Sequence, residues 1–368
     1  MNASLYGFLQ EALPAFEVYG TINGLQGLCE DRLAPLPGPA ARYLRLDGVP
    51  GAWLGSGRWP AGREDFRQSV KNLEQRGIGG LALIGGNGTM WACMQLEQAA
   101  RRAGQDLSLV GIPKTVDNDL AETDHAPGFG SAARFVTTLV RDVGKDLEAM
   151  RNFEAVRVLE TMGRNVGWLA MSAGYLKERP ADPPHLIYVP ERPFDEEEFL
   201  HEVREAHRAH GCAVVVVSEG LTPSDREEGL REPILGGVSH ELAQKVNQKL
   251  GLPARGELLG MGQRSYASAV PKLDREEART LGAAAATMLR EGRSGAMTAL
   301  RRVEGPGYAA ELTTVPFGKV AGIEKPLPRE WVLSPDVVHE GFKRWLEPLV
   351  GSDITAYPPN LSEEDGAL

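Results

Sequence analysis

The stretch SVKNLEQRGIGGLALIGGNGTMWACMQLEQAARRAGQDLSLVGI leaves the chain little choice of fold. It reads as a helix, a loop, an apolar strand at 81–84, a Gly-rich turn, a helix at about 89–102 and a second apolar strand at 107–112. Strands this short and this apolar need cover on both faces, and helices stand between them, which is the pattern of parallel βαβ units. A second set follows GFGSAARFV, whose glycines let the chain cross from one block to the next. There AVRVLETMG holds a strand, VGWLAMSAGYLKE a helix, PHLIYVP a strand, FDEEEFLHEVREAHRAHG a helix with an acidic start, and CAVVVVSEG a wholly apolar strand. The expectation is two parallel-sheet α/β blocks. EGFKRWLEPLV adds one late helix, and YPPNLSEEDGAL reads as a loose tail.

Composition narrows the class of partner. A chain of 368 residues, 42% hydrophobic and 24% charged, can bury two cores. A net charge of −10 argues against nucleic acid or an anionic membrane surface as the main partner. Cys29, Cys93 and Cys212 lie far apart without CxxC spacing, which fits a reducing cytoplasm better than a disulfide framework or a zinc site. No apolar run reaches the roughly 18 residues of a membrane span, and the seven histidines make no HxH or HExxH spacing. A cytoplasmic protein is expected.

In open parallel sheets, ligands sit beyond the carboxyl ends of the strands. Five polar motifs fall at such ends: GGNGT after LALI, PKTVDND after LVGI, ETMGRN after VRVL, PERPF after LIYV and SEG after VVVV. Gly85–Thr89 is either an anion-binding turn, with free helix N–H groups and close backbone approach, or a plain βα turn capped by Thr89. It is neither a Walker motif nor GxGxxG. In PKTVDND, Asp117 and Asp119, two apart in extended chain, share a side, and Lys114 offsets their charge. Phosphoryl transfer needs that mixture of base, magnesium-side carboxylate and cation; a capped loop with a surface ion pair accounts for it as well. Arg58 follows two glycines in LGSGR. Arg255 and Arg264 flank the apolar-glycine centre of RGELLGMGQRS, and guanidinium forks suit a phosphate monoester.

Taken in order, GSGR, GGNGT, PKTVDND, GFGSAARF, ETMGRNVGWLA, PHLIYVPE, SEG, LGGVS and LGMGQRS resemble the phosphofructokinase family over about residues 20–297. The lysine of PKT and the GFGSAAR segment are similar to its pyrophosphate-dependent and long ATP-dependent branch. The resemblance implies two Rossmann-like parallel-sheet domains of the phosphofructokinase fold with the active site in the cleft between them. Residues 1–128 plus about 268–315 would form the phosphoryl-donor domain, 129–267 plus about 316–350 the fructose 6-phosphate domain, and 351–368 the tail. It implies transfer of a phosphoryl group to the 1-hydroxyl of fructose 6-phosphate, giving fructose 1,6-bisphosphate in glycolysis, with Mg2+ and either ATP or pyrophosphate. By position, Asp117 would take the hydroxyl proton, Asp119 would be its magnesium-side companion, and Thr115 would contact the transferred group. Arg58 and Lys114 would meet the phosphates as charge develops, and Gly86, Asn87, Gly88 and Thr89 would line the donor. Met162, Gly163, Arg164 and Glu219 would hold the sugar hydroxyls, and Arg255 and Arg264 the 6-phosphate. One of those arginines reaches in from a neighbouring subunit in the family, so a homodimer or homotetramer is implied.

Four departures accompany the resemblance. The family begins with a strand and a GGxxPGxNA-like loop, of which only the last part is matched by the MNA of MNASLYGFLQ. Asn87 stands where the family has a magnesium-holding aspartate, an exchange that keeps the oxygen and loses the charge. Ala155 replaces an arginine that binds the sugar phosphate, and Arg157, on the same strand face, is a candidate substitute. Met261 replaces a histidine or tyrosine at the sugar site. The donor is read for ATP on Gly88, which leaves room for a nucleotide phosphate, against Lys114, which is typical of pyrophosphate users. The alternative is a weakly active or inactive relative that binds sugar phosphate or regulates a partner subunit. A lipid or NAD kinase shares the GGDGT-like turn but leaves PKTVDND, MGRN and QRS without a purpose.

Overall fold

The carboxyl ends of two parallel sheets carry the motifs named above. The computed structural model describes residues 1–57, 59–221 and 236–357. The chain opens with α1 (Asn2–Ala12), β1 (Tyr19–Thr21), α2 (Gly24–Cys29) and β2 (Leu33–Pro35), then α3 (Arg63–Gln75), β3 (Gly80–Gly85), α4 (Asn87–Ala103) and β4 (Ser108–Pro113). The long α5 (Phe129–Met150) leads to β5 (Val156–Thr161), α6 (Trp168–Ser172), β6 (Leu186–Tyr188), α7 (Glu196–His210) and β7 (Ala213–Ser218). There follow α8 (Val238–Leu250), β8 (Ala254–Leu258), α9 (Gly262–Ser265), α10 (Lys272–Arg290), β9 (Ala296–Arg302), β10 (Ala310–Pro316) and α11 (Glu340–Val350).

One sheet has the order β10-β9-β4-β3, the other β6-β7-β5-β8. All pairings are parallel except β10 with β9. Val214–Val217 of β7 are wholly buried, as a strand covered on both faces requires. β1 and β2 form a separate antiparallel pair. The helix α7 starts where its acids predict. Asp195 accepts a hydrogen bond from the Glu198 N–H at 2.8 Å, Glu196–Glu198 fill the positive first turn, and Gly211 closes the helix at φ 77.

Two helices of the first sheet fix the approach to α5. α1 crosses α10 with almost no gap, since a Cβ at Gly282 would overlap the Ser4 carbonyl. Asp274 on α10 then accepts from the Gly128 N–H at 2.8 Å and the Ser131 N–H at 3.1 Å, satisfying free donors at the start of α5. Elsewhere the pattern is interrupted. The helix expected over VGWLAMSAGYLKE shrinks to α6. The Ser172 hydroxyl turns back on the Leu169 carbonyl at 2.6 Å, and Gly174 packs so close to Ile187 and Val338 that a Cβ there would overlap both. Residues 351–357 of the expected tail lie on α5, with Arg134 bonded to Asp353 at 2.5 Å and the Arg141 guanidinium 4.9 Å above the Tyr357 ring. The remainder, 358–368, lies outside the described residues.

A buried charge cluster joins the loop that follows PKTVDND to α10, β9 and α11. His125 faces Asp124 at 2.9 Å through Nδ1 and Glu277 at 2.7 Å through Nε2. Asp124 also receives Arg302 at 3.1 Å and the Trp345 indole at 3.0 Å, and Tyr308 donates to Glu277. Burial opposes an imidazolium, but the two carboxylates outweigh it and raise the His125 pKa above its ordinary value. The stabilisation from a raised pKa is complete below the unfolded value of about 6.5 and is lost as pH rises through the folded one. Thermal melts across pH 6–9 should therefore show wild type losing more stability toward alkaline pH than His125→Gln; parallel curves would remove the charged imidazole from the cluster.

Candidate active site

The loop after β4 is held by its neighbours on both sides. The Lys114 N–H bonds to the Gly85 carbonyl at 2.9 Å, and Thr115 pairs with Gly128 at the start of α5. The Asp117 N–H donates to the Thr115 hydroxyl at 3.1 Å. Asn118 then turns into the left-handed region, φ 57, with its Oδ1 accepting from the Ala126 N–H. The two aspartates are thus presented by a tight turn rather than by the extended chain the sequence suggests, because Asn118 tolerates the αL conformation and is bonded into it. Burial lowers the Lys114 pKa, with Asp117 and Asp119 opposing and Arg264 adding to the shift. Burial likewise raises Asp119, against the Thr115 hydroxyl beside it. Lys114 therefore senses both aspartates of its own loop and an arginine from the other sheet.

GGNGT forms the turn expected of it, with a changed division of labour. A Cβ at Gly85 would overlap the Thr89 side chain, so the strand can enter α4 this tightly only with glycine there. The cap position is Gly86, and Thr89 lies inside the first turn. A Cβ at Gly88 would meet nothing within 4 Å. Both atoms of the Asn87 amide are engaged: Oδ1 accepts from the Gly322 N–H and Nδ2 donates to the Ile323 carbonyl, each at 2.7 Å.

That same segment, 322–325, reaches the other motifs. Leu120 bridges to Glu324, and the Lys325 N–H bonds to the Asp119 carbonyl at 2.9 Å. Asn165 donates to the Glu324 carboxylate, and the Trp168 indole to the Lys325 carbonyl at 2.8 Å. Lys325 places its ammonium on the Thr123 and Asp124 carbonyls and 4.9 Å above the Trp168 ring; burial pulls its pKa down to about 8.

On the second sheet, the Met162 N–H donates to Gln263 Oε1 at 2.9 Å, tying the turn after β5 to α9. Gly163 has φ 116, where a side chain would be strained, and Arg164 is exposed. Glu219 leaves β7 with its N–H on the Thr161 carbonyl at 2.9 Å, and Gly220 lies so close to the Arg164 backbone that a Cβ there would overlap it. The structure therefore brings 162–164 and 219–220 together. It does not bring the two arginines of RGELLGMGQRS together. Arg255 pairs in register with Arg157 near the amino end of β8, whereas Arg264 lies past its carboxyl end. Arg157 is no substitute ligand: it is buried against Glu154 at 2.6 Å, Asp146 at 3.2 Å and Glu257 at 3.7 Å, because it sits at the end of β5 away from the cleft. Arg58 falls outside the described residues.

Three contributors went unassigned in the sequence. Glu160, buried in β5, accepts from the Gly237 and Ser239 N–H groups and the Ser239 hydroxyl, and so fixes the start of α8. An acid in a wholly buried strand was a readable signal. Gln263 was the neighbour of a chosen arginine. Glu324 had no signal, since GIEK reads as an ordinary loop.

The phosphofructokinase family model matches residues 1–289. A sulfofructose kinase from Alkalicoccus urumqiensis is 42% identical over 95% of this chain and 92% of its own. A pyrophosphate–fructose 6-phosphate 1-phosphotransferase from Methylococcus capsulatus is 32% identical over 99% of this chain and 91% of its own. The crystal structure of a pyrophosphate-dependent phosphofructokinase from Marinobacter aquaeolei superposes with a TM-score of 0.85 at 30% identity, covering 99% of this chain and 90% of that one. With the family model over most of the chain and relatives at 30% identity or more across nearly all of it, the chain belongs to the phosphofructokinase family and is a phosphotransferase of the phosphofructokinase type.

Proposed function

We propose that the chain transfers the terminal phosphoryl group of ATP to the 1-hydroxyl of a fructose that carries an acid group on C6, with fructose 6-phosphate the first acceptor to test. The observation that carries this reading is that residues 322–325 bond at once to Asn87 of the glycine turn, Asp119 of the aspartate loop and Asn165 beside Arg164, which brings the three motifs to one place. Asp117 accepts the proton of the 1-hydroxyl. The freed oxygen attacks the terminal phosphorus in line, the new O–P bond forms as the bridging P–O bond breaks, and the leaving phosphate takes the electron pair. Lys114 and Thr115 meet the charge that spreads over the moving group, Arg58 is assigned the same task from its place in the sequence alone, and Gly86–Thr89 line the donor phosphates. Met162, Gly163, Arg164 and Glu219 orient the sugar. The sulfofructose kinase extends the same reading to a fructose that carries a sulfo group. Pyrophosphate is the second donor reading, favoured by Lys114, while the open space at Gly88 favours a nucleotide.

Magnesium fits one of its two expected ligands. Asp119 Oδ1 is buried without a hydrogen-bond partner, as an oxygen reserved for a cation would be. Asn87 is a poor ligand, since its oxygen already serves Gly322. Among the described residues no cluster of three acidic, histidine or cysteine side chains could hold a metal alone. Mg2+ commonly takes one or two carboxylates plus the substrate's phosphates, so Asp119 would hold it together with the donor. When bound, the ion neutralises charge on the donor phosphates.

We place the working unit at a homodimer or homotetramer, in which the Arg255 of a neighbouring copy meets the C6 anion. A chain that sediments as a monomer with full activity would remove Arg255 from that contact. Asp117→Ser should lower kcat roughly 10²–10⁴-fold with fructose 6-phosphate affinity nearly kept, assayed with ATP and with pyrophosphate in parallel; undiminished turnover would exclude Asp117 as the base. Asn87→Asp should cost about 1–2 kcal/mol in denaturant unfolding, since it sets a carboxylate against the Ile323 carbonyl in place of a hydrogen bond, and should not lower the magnesium requirement. A lower requirement at unchanged stability would make position 87 a metal ligand instead.

A further inference from the structure

We infer that Lys325 is a positioning residue for the reaction: it clamps the aspartate loop at both ends and thereby fixes where Asp119 presents its free oxygen. This rests on the reaction and on the role of Asp119 proposed above.

The far end of the loop is fastened to β9, where the Asp124 N–H bonds to the Leu300 carbonyl at 2.8 Å and the Leu300 N–H to the Thr123 hydroxyl at 3.1 Å. Lys325 joins that end to the near one. Its backbone N–H holds the Asp119 carbonyl at 2.9 Å, while its ammonium donates to the Thr123 carbonyl at 2.9 Å and the Asp124 carbonyl at 2.6 Å. The bridge between Leu120 and Glu324 is antiparallel, so Asp119 and Lys325 stand opposite each other and their side chains leave on the same side. Apart from the Thr115 hydroxyl beside it, the Asp119 carboxylate takes its aim from this backbone, since its Oδ1 has no hydrogen-bond partner.

The task needs a lysine. An ammonium has three donors, and the two carbonyls it serves receive no other hydrogen bond among the described residues. The Trp168 ring lies 4.9 Å from the ammonium, and the Trp168 indole N–H donates back to the Lys325 carbonyl at 2.8 Å. A cation–π contact gains strength when it is desolvated. Trp168 opens α6 just after the 162–164 turn, so the same clamp sets the distance between Asp119 and the residues that orient the sugar. A neutral side chain of similar length would leave both carbonyls without a donor and the loop free to shift.

Hydrogen exchange over residues 115–126 of the full chain, without metal or substrate, tests the clamp; steady-state rates test its purpose. Lys325→Met should exchange roughly tenfold or more faster there than wild type. Its kcat should fall roughly 10–100-fold and the Mg2+ concentration for half-maximal rate should rise about tenfold, with KM for fructose 6-phosphate within about twofold. Lys325→Gln, which keeps a donor for one carbonyl, should fall between the two and carries the test should Lys325→Met not fold. Unchanged exchange over 115–126 overturns the clamp. A lower melting temperature with kcat and the Mg2+ requirement kept makes Lys325 a structural residue and overturns the positioning role. Absence of turnover in wild type with ATP and with pyrophosphate overturns the reaction itself, and the exchange result then still decides whether Lys325 holds the loop.

Discussion

The backbone of residues 322–325 is the common reference to which three motifs are fastened. Gly322 and Ile323 hold the Asn87 amide, Glu324 pairs with Leu120 and receives Asn165, and Lys325 bonds the Asp119 carbonyl. Each bond contributes only about 0.5–1.5 kcal/mol net. Their value is geometric, because the glycine turn, the aspartate loop and the MGRN turn cannot drift independently. Reaction geometry tolerates little error, since displacement of a reacting group by an ångström costs orders of magnitude in rate. An amide at position 87 is what allows the donor turn to join this arrangement. A carboxylate has no N–H for the Ile323 carbonyl, so an asparagine here supplies a mechanical tie that an aspartate could not.

The same loop places two carboxylates in different surroundings. Asp119 is pushed up by burial and keeps one oxygen without a partner, whereas Asp117 lies in the field of Lys114. Separate environments give two like groups separate tasks. In this arrangement one carboxylate is suited to a cation and the other to a proton, with a lysine whose own pKa burial has lowered. Asn118 makes the division possible: its left-handed turn sends successive acids to different neighbours, which an extended segment could not do.

Much of this was legible in the chain. The apolar runs LALI, LVGI, VRVL and VVVV gave their strands, because a buried parallel strand admits little else, and the polar stretches after them marked the cleft edge. α11 occupies the segment its apolar spacing predicts, 340–350. What could not be read depends on long-range contact. The role of 322–325 comes from partners more than a hundred residues away, and Arg157 looked available until the carboxylates of α5 and β8 were seen around it. Gly174 likewise meets Ile187 and Val338 beyond the end of α6, a contact that no local propensity encodes.

The direction of β8 bears on how many chains one site requires. Strand residues advance about 3.3 Å each, so Arg255 stands roughly 10 Å below Leu258, and the chain continues through Gly260 and Met261 before Arg264 appears. A phosphate or sulfonate is only a few ångströms across. Arg255 and Arg264 thus leave the second sheet from opposite ends of β8. A contact of both with one small anion needs either two long side chains of one copy bent toward each other or the Arg255 of another copy, and which of the two operates is fixed by packing between chains and not by the strand itself.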